Sequence, residues 1–247
     1  MNMSAKHLLG MLLVLAASSA AADPLTSDRP DFVEATAVLD AGVVQVETGG
    51  RLTWADRADA APDGLDMPSL LKVGVGGEVE LRLESALFDW PLGGSARAAA
   101  LSPGLKWSPW ASPDGVAVAV LAHADVPLDG SARSRVEPSL RVVVAGPWND
   151  VWAWGVMPGA RWTVDGRGVR RWSGLLGAVV SRALPGGWGT YAEIAAAGFD
   201  ERGLDAHAGA GATWLLTDDW QLDASVTAGL TDRATPATLG LGVSHRF

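Results

Sequence analysis

The sequence predicts an all-β fold: a transmembrane, antiparallel, up-and-down β-barrel of about twelve strands. Three observations carry this expectation. Apolar and polar residues alternate with period two in segment after segment, and clusters of Gly, Pro, Asp and Asn separate the segments. The polar faces are rich in charge and Gly, whereas Trp54, Trp214 and Trp220 stand at strand ends on the apolar side. The closing stretch TPATLGLGVSHRF keeps the alternation up to its last residue, Phe247.

Taken in order, the chain begins with Lys6, the apolar run LLGMLLVLAA and the small-residue stretch SSAAADP. These are the charged, hydrophobic and cleavage regions of a secretory signal peptide, 1–22, with cleavage expected after Ala22. The run is short for a bilayer-spanning helix of roughly 20 residues. A polar, Pro-containing segment follows, 23–42, with DPLTSDRPDFVEAT at its start. It suits either a periplasmic tail or a partial plug in a barrel lumen, where Asp28, Arg29 and Asp31 would meet lumenal charges.

The barrel itself is expected over 43–247. Candidate strands lie near 43–54, 68–75, 77–88, 95–107, 116–124, 137–145, 149–162, 169–182, 187–199, 204–216, 219–231 and 236–247. Each approaches the ~9–11 residues of a tilted membrane strand. Pro103 and Gly104 interrupt the fourth. Links after even-numbered strands, such as GVGG, GPWND, LPGG and LTDD, are tight and suit periplasmic turns. The long ADRADAAPDGLDM and DVPLDGSARSR suit outer loops, though DGRG and DERG are short for that role.

Composition narrows the function classes. The 247 residues carry a net charge of −9 and no Cys, with 12 Trp against one Tyr. The negative balance disfavours nucleic acid as a partner, and none is expected. Without Cys there are no disulfides, no thiolate metal sites and no lipidated Cys of a bacterial lipoprotein. No His/Asp/Glu spacing suggests a metal site, no phosphate loop occurs, and no cofactor is expected.

Alternation alone does not say which face is inside, because a soluble lipocalin-like barrel turns its apolar face inward. Trp at the strand ends, Gly on the polar faces and the terminal Phe favour lipid on the apolar side. Parity then assigns a lumen-lining set: Glu47, Arg51, Lys72, Glu78, Glu80, Arg82, Glu84, Glu137, Arg141, Glu193, His207, Asp223 and Arg246. Phe247 is the expected recognition signal for the barrel-assembly machinery. His245 departs from the aromatic pattern of the tail. No sequence pattern pairs His207 with a Ser nucleophile, so an enzyme is not expected.

The stretch TSDRPDFVEATAVLDAGVVQVETGG resembles the N-terminal signature of the Gram-negative outer-membrane family named for a MetA-pathway of phenol degradation. The resemblance continues through VELRL, GLKWSP, LAHADVPLDG, EPSLRVV, GGWGTYAE, TWLLTDDWQLDASVTAGL and LGVSHRF. Pro127-Leu128-Asp129-Gly130 stands where the family usually has Pro-Thr-Gly, and His245 where it often has an aromatic. The resemblance implies an outer-membrane barrel, surrounded by outer-membrane lipid, that takes up small and often aromatic or hydrophobic solutes. Passive transport is therefore the expected function. No large motor-coupled plug domain is seen ahead of the barrel. The alternative is a closed structural or adhesion-type barrel without transport.

Overall fold

The computed structural model describes residues 24–54, 64–91, 94–95, 100–128, 135–164, 169–198 and 203–247. The expected signal peptide lies outside them. Twelve strands follow: β1 (Val44–Trp54), β2 (Gly64–Gly76), β3 (Val79–Pro91), β4 (Leu101–Ala111), β5 (Ala117–Asp125), β6 (Glu137–Pro147), β7 (Trp152–Val164), β8 (Arg170–Ala183), β9 (Trp188–Ala197), β10 (Asp205–Thr217), β11 (Trp220–Gly229) and β12 (Ala237–Arg246). Each pairs antiparallel with its neighbours in sequence, and β1 pairs with β12 to close the barrel. Closure satisfies every strand edge, which a bilayer core demands because it offers no water to unpaired backbone groups.

Two strands differ most from their sequence-based bounds, each for a reason at proline. β2 starts earlier than 68 because Pro68 sits at a register shift between Asp66 and Pro68, where a missing N–H is tolerated. β4 runs through Pro103 because its ladder with β5 is broken there. An isolated bridge joins Leu101 to Val126, and regular pairing resumes at Gly104↔His123.

The two faces separate cleanly. Gln45, Glu47, Lys72, Glu80, Arg82, Lys106 and Ser244 are buried inside, while Leu81, Leu140, Ile194 and Leu241 point outward and are more than half exposed. Polar residues in and aliphatic residues out is the arrangement of a membrane barrel. The twelve Trp form two outward belts. Trp54, Trp90, Trp162 and Trp172 lie toward the loop end; Trp107, Trp110, Trp148, Trp152, Trp154, Trp188, Trp214 and Trp220 lie toward the turn end.

The tight links fall at one end: Gly77–Glu78, 112–116, 148–151, a 3-10 turn at Pro185–Gly187, and 218–219. Glu78 therefore departs from its expected lumenal place. Gly77 and Glu78 are the central pair of the β2–β3 turn, with φ of 62° and 58°, the positive values that a type I′ hairpin requires. Alternation stops where the turn begins, and the Glu78 side chain is exposed outside the lumen.

At the C-terminus, the His245 ring stacks on Trp220 with centroids 3.9 Å apart and meets Phe247 edge-on at 4.3 Å. His245 thus fills an aromatic's place in the lower belt. Its departure from the family's pattern leaves the tail's aromatic packing in place.

Leu241 lies at the middle of β12, whereas Leu216 lies beside the β10–β11 turn. An Arg at the midplane of a barrel costs about 2–4 kcal/mol, falling to about 0–1 kcal/mol near an interface. Leu241→Arg should lower unfolding free energy in phospholipid bilayers by that larger amount, and Leu216→Arg by the smaller. Denaturant titration of the two variants checks the depth assignment.

Candidate functional site

The lumen is the candidate site, and the N-terminal segment fills much of it. Leu25 N–H donates to the Asp218 carbonyl in the β10–β11 turn at 2.8 Å, so the segment enters beside that turn. It climbs through Thr26–Phe32, reverses, and returns at the same end. There Leu39 N–H reaches Glu80, and Gly42 N–H donates to the Gly74 carbonyl at 2.9 Å. Two glycines make room for it by close approach. A Cβ at Gly177 would lie 2.7 Å from the Phe32 ring, and one at Gly74 would collide with the Leu39 and Asp40 carbonyls.

Asp28 is the centre of the site. Its carboxylate accepts from Lys72 at 3.1 Å, Arg82 at 2.8 Å and Lys106 at 2.9 Å, which come from three successive strands, β2, β3 and β4. All four side chains are buried. Glu34 continues the network to Arg82 at 2.6 Å and to Arg141 on β6. Glu80 meets Arg82 at 2.8 Å, and Glu47 meets Lys72 at 2.6 Å. Glu84 lies against Arg82, Arg141 and His123. Burial without such pairing would cost several kcal/mol per charge.

The far side of the segment uses different chemistry. Phe32 and Val33 pack on a buried apolar wall built from β5 to β9: Ala119, Leu121, Val143, Met157, Val179 and Tyr191. The Phe32 ring meets His207 edge-on at 5.8 Å, and Phe32 N–H donates to Glu193 at 2.7 Å. Arg29 makes a two-pronged contact with Asp223, both arms at 3.2 Å. The lumen is thus two-faced, ionic along β1–β4 and apolar along β5–β9.

Of the residues expected to line the lumen, Glu47, Lys72, Glu80, Arg82, Glu84 and Arg141 converge around Asp28 and Glu34. Glu193, His207 and Asp223 face the other side of the same segment. Arg51, Glu137 and Arg246 lie toward the mouths. Arg51 pairs with Asp66, Glu137 with Arg161, and Arg246 with Asp219 at 2.8 Å. Glu78 is in the turn. Sequence reasoning missed Lys106, His123 and Asp125. Lys106 was legible in the alternation Ser102, Gly104, Lys106 against Leu101, Pro103, Leu105, had the Pro103–Gly104 pair not masked it.

The sequence matches the family described as "Putative MetA-pathway of phenol degradation" over residues 27–247. The chain belongs to that family. The match begins at Ser27, so it takes in the lumenal segment together with the barrel. No curated protein matches the sequence. Among solved structures, this family member is similar to the COG4313 outer membrane channel from Pseudomonas putida F1, with TM-score 0.65 and 13% identity over 88% of this chain and 99% of that one. It is also similar to the NanC porin, with TM-score 0.60 and 9% identity over 82% and 98% of the two chains. The KdgM porin gives TM-score 0.55 and 12% identity over 82% and 99%. At such identities these likenesses concern the barrel fold.

Two carboxylates of the segment respond oppositely to pH. Burial pushes Asp28 up, but Lys106, Lys72 and Arg82 outweigh it and hold its carboxyl well below the usual range. Its contribution to docking is present above the ordinary carboxylate range and is lost as pH falls through the depressed value. Burial, then the like charge of Glu193, pushes Asp31 well above the usual range. Docking is therefore favoured while Asp31 is protonated, and weakens as pH rises through its raised value.

The protein has no Cys, so a single Thr36→Cys reports segment release by thiol labelling. Asp31→Asn should slow labelling at neutral pH, with the difference vanishing below about pH 3, where Asp31 is protonated whether the segment is docked or released. Asp28→Asn should speed it strongly, since removing one partner of a buried charge cluster costs about 3–5 kcal/mol.

Proposed function

We propose that this family member is a passive channel, not an enzyme, for small amphipathic solutes, an aromatic or hydrophobic body bearing an acidic group. The observation that carries this is the two-faced lumen around the N-terminal segment. The segment presents carboxylates to one wall and a Phe ring to the other. A solute of the same design would find both walls complementary wherever the segment gives way. Once Asp28 and Glu34 leave, Lys72, Arg82, Lys106 and Arg141 face only Glu47, Glu80 and Glu84, which leaves that wall with a positive excess. Such a wall selects for anions as charged rings do in other pores.

The docking chemistry supports reversibility. Buried ion pairs give specificity more than net stability, because the desolvation they cost nearly offsets their attraction. A segment held this way is positioned sharply without being locked. In the same reading outer-membrane lipid surrounds the barrel, and Phe247 is its handle for the assembly machinery. A closed structural barrel is the second reading, favoured by how fully the segment occupies the lumen.

Planar-bilayer conductance and liposome swelling separate the two. The Asp28→Asn, Glu34→Gln double variant should conduct more than the unaltered protein. Liposomes carrying it should swell faster in benzoate than in glucose. A barrel that stays silent in both assays, with and without the double substitution, is a closed structural one.

A further inference from the structure

The lipid-facing side of β7–β9 carries a feature that the channel does not use. β8 presents Arg170, Trp172, Gly174, Leu176, Ala178, Val180 and Arg182 outward. The two arginines close an otherwise uncharged row. They are twelve positions apart, about 40 Å along a strand at ~3.3 Å per residue. With the usual barrel tilt of about 35–45° this is roughly 30 Å of height, just beyond an apolar band of ~25 Å. Each arginine therefore stands at one membrane interface, and each lies over a Trp of β7. Arg170 covers Trp162 at 5.5 Å and Arg182 covers Trp152 at 5.3 Å.

The two ends differ in what remains free. Arg170 donates to the Val136 carbonyl at 3.4 Å. Arg182 is exposed, and among the described residues its guanidinium contacts the Trp152 ring and makes no ion pair. Immediately inward from Arg182 the barrel surface is hollowed. Register places Trp154 beside Val180 and Val156 beside Ala178 on one flank, and Ala192 and Ile194 beside the same two β8 residues on the other. The hollow is an apolar groove of about 380 Å³ whose floor is the low relief of Ala178 and Ala192 between Trp154 and Ile194. Trp148 stands at its turn-end mouth, on the side of Arg182.

We propose that this face binds one glycerophospholipid of the periplasmic leaflet. Its phosphate sits on Arg182, its glycerol region lies between Trp148 and Trp152, and one acyl chain lies in the groove. Charge decides the occupant. A free cation at the water edge of an apolar groove matches a molecule whose anionic phosphate is joined directly to a hydrocarbon chain. A second copy of this barrel would bring its own outward Arg182 and aliphatic rows, with no carboxylate among those β8 positions to meet it. An arginine also forms paired hydrogen bonds to phosphate oxygens that a lysine cannot match. The site stands on the outer surface and does not depend on whether the lumen conducts.

Native mass spectrometry in mild detergent tests it, with phosphatidylethanolamine as the probe and diacylglycerol as the phosphate-free control. The unaltered protein should retain one phosphatidylethanolamine and no diacylglycerol. Arg182→Gln should weaken retention about tenfold, the worth of one charge-assisted contact. Ala192→Phe, which fills the groove without touching the cation, should weaken it similarly. Arg170→Gln should leave it unchanged, and all variants should keep the heat-modifiable migration of a folded barrel. The proposal is overturned if no lipid is retained, if diacylglycerol binds as well as the phospholipid, or if Arg182→Gln and Arg170→Gln behave alike. A dimer that persists in Arg182→Gln would also overturn it, by showing the face to be a contact between copies.

Discussion

The structure depends on one carboxylate placed among three cations. Asp28 sits inside the barrel within 3.1 Å of Lys72, Arg82 and Lys106, which the strand order forces to face one another across adjacent strands. Like charges about 4 Å apart repel by ~4 kcal/mol at an effective dielectric of 20. The wall alone is therefore electrostatically frustrated, and Glu47 and Glu80 relieve only part of it. The N-terminal segment supplies the remaining negative charge at the one place where the wall lacks it. That the family match begins at Ser27 fits a segment and a wall that make sense only together.

The apolar side answers a different problem. A lumen lined all round by charge would hold its segment by ion pairs alone, and ion pairs do not fix a backbone's height in the pore well. Phe32 and Val33 do so by shape. They fit where Gly177 and Gly155 leave the wall low, and a Cβ at Gly177 would intrude on the ring. Ionic contacts choose the partner and apolar contacts choose the register. The same division would orient an amphipathic solute, head to β2–β4 and body to β5–β9.

Much of the fold was legible in the sequence because a barrel wall imposes period two on every strand, and parity survives even where bounds slip. β6 was expected over 137–145 and runs Glu137–Pro147; β12 was expected over 236–247 and runs Ala237–Arg246. Parity also placed Glu47, Lys72, Glu80, Arg82 and Asp223 inside. It failed at Glu78, where a tight turn suspends the alternation, and it overlooked Lys106 because proline and glycine disguised a strand. What no local pattern could give was pairing across the lumen. Asp28 and Lys106 are 78 positions apart, and nothing in either neighbourhood names the other. Burial of the segment had to come from the closed ring, since only closure creates an inside.

That closure is itself tied to the segment. The seam between β1 and β12 passes through Gly49↔Gly242, a pair with no side chains to grip across the gap. Arg29 occupies the space those glycines leave, so that a Cβ at Gly49 would stand 2.6 Å from its guanidinium, and it reaches on to Asp223 of β11. Ser27 touches both sides of the seam, donating to Glu47 of β1 at 2.8 Å and meeting Ser244 of β12 at 2.8 Å. The segment that lies in the lumen therefore also staples the first strand to the last. Its upper part, around Phe32 and Glu34, contacts only the interior of the wall and can shift without disturbing the seam. Its lower part cannot: for Asp28 to leave its cations, Ser27 and Arg29 must give up their contacts with Glu47, Ser244 and Asp223. Opening of a path would therefore start at the reversal of the segment and would loosen the seam once it reached Asp28.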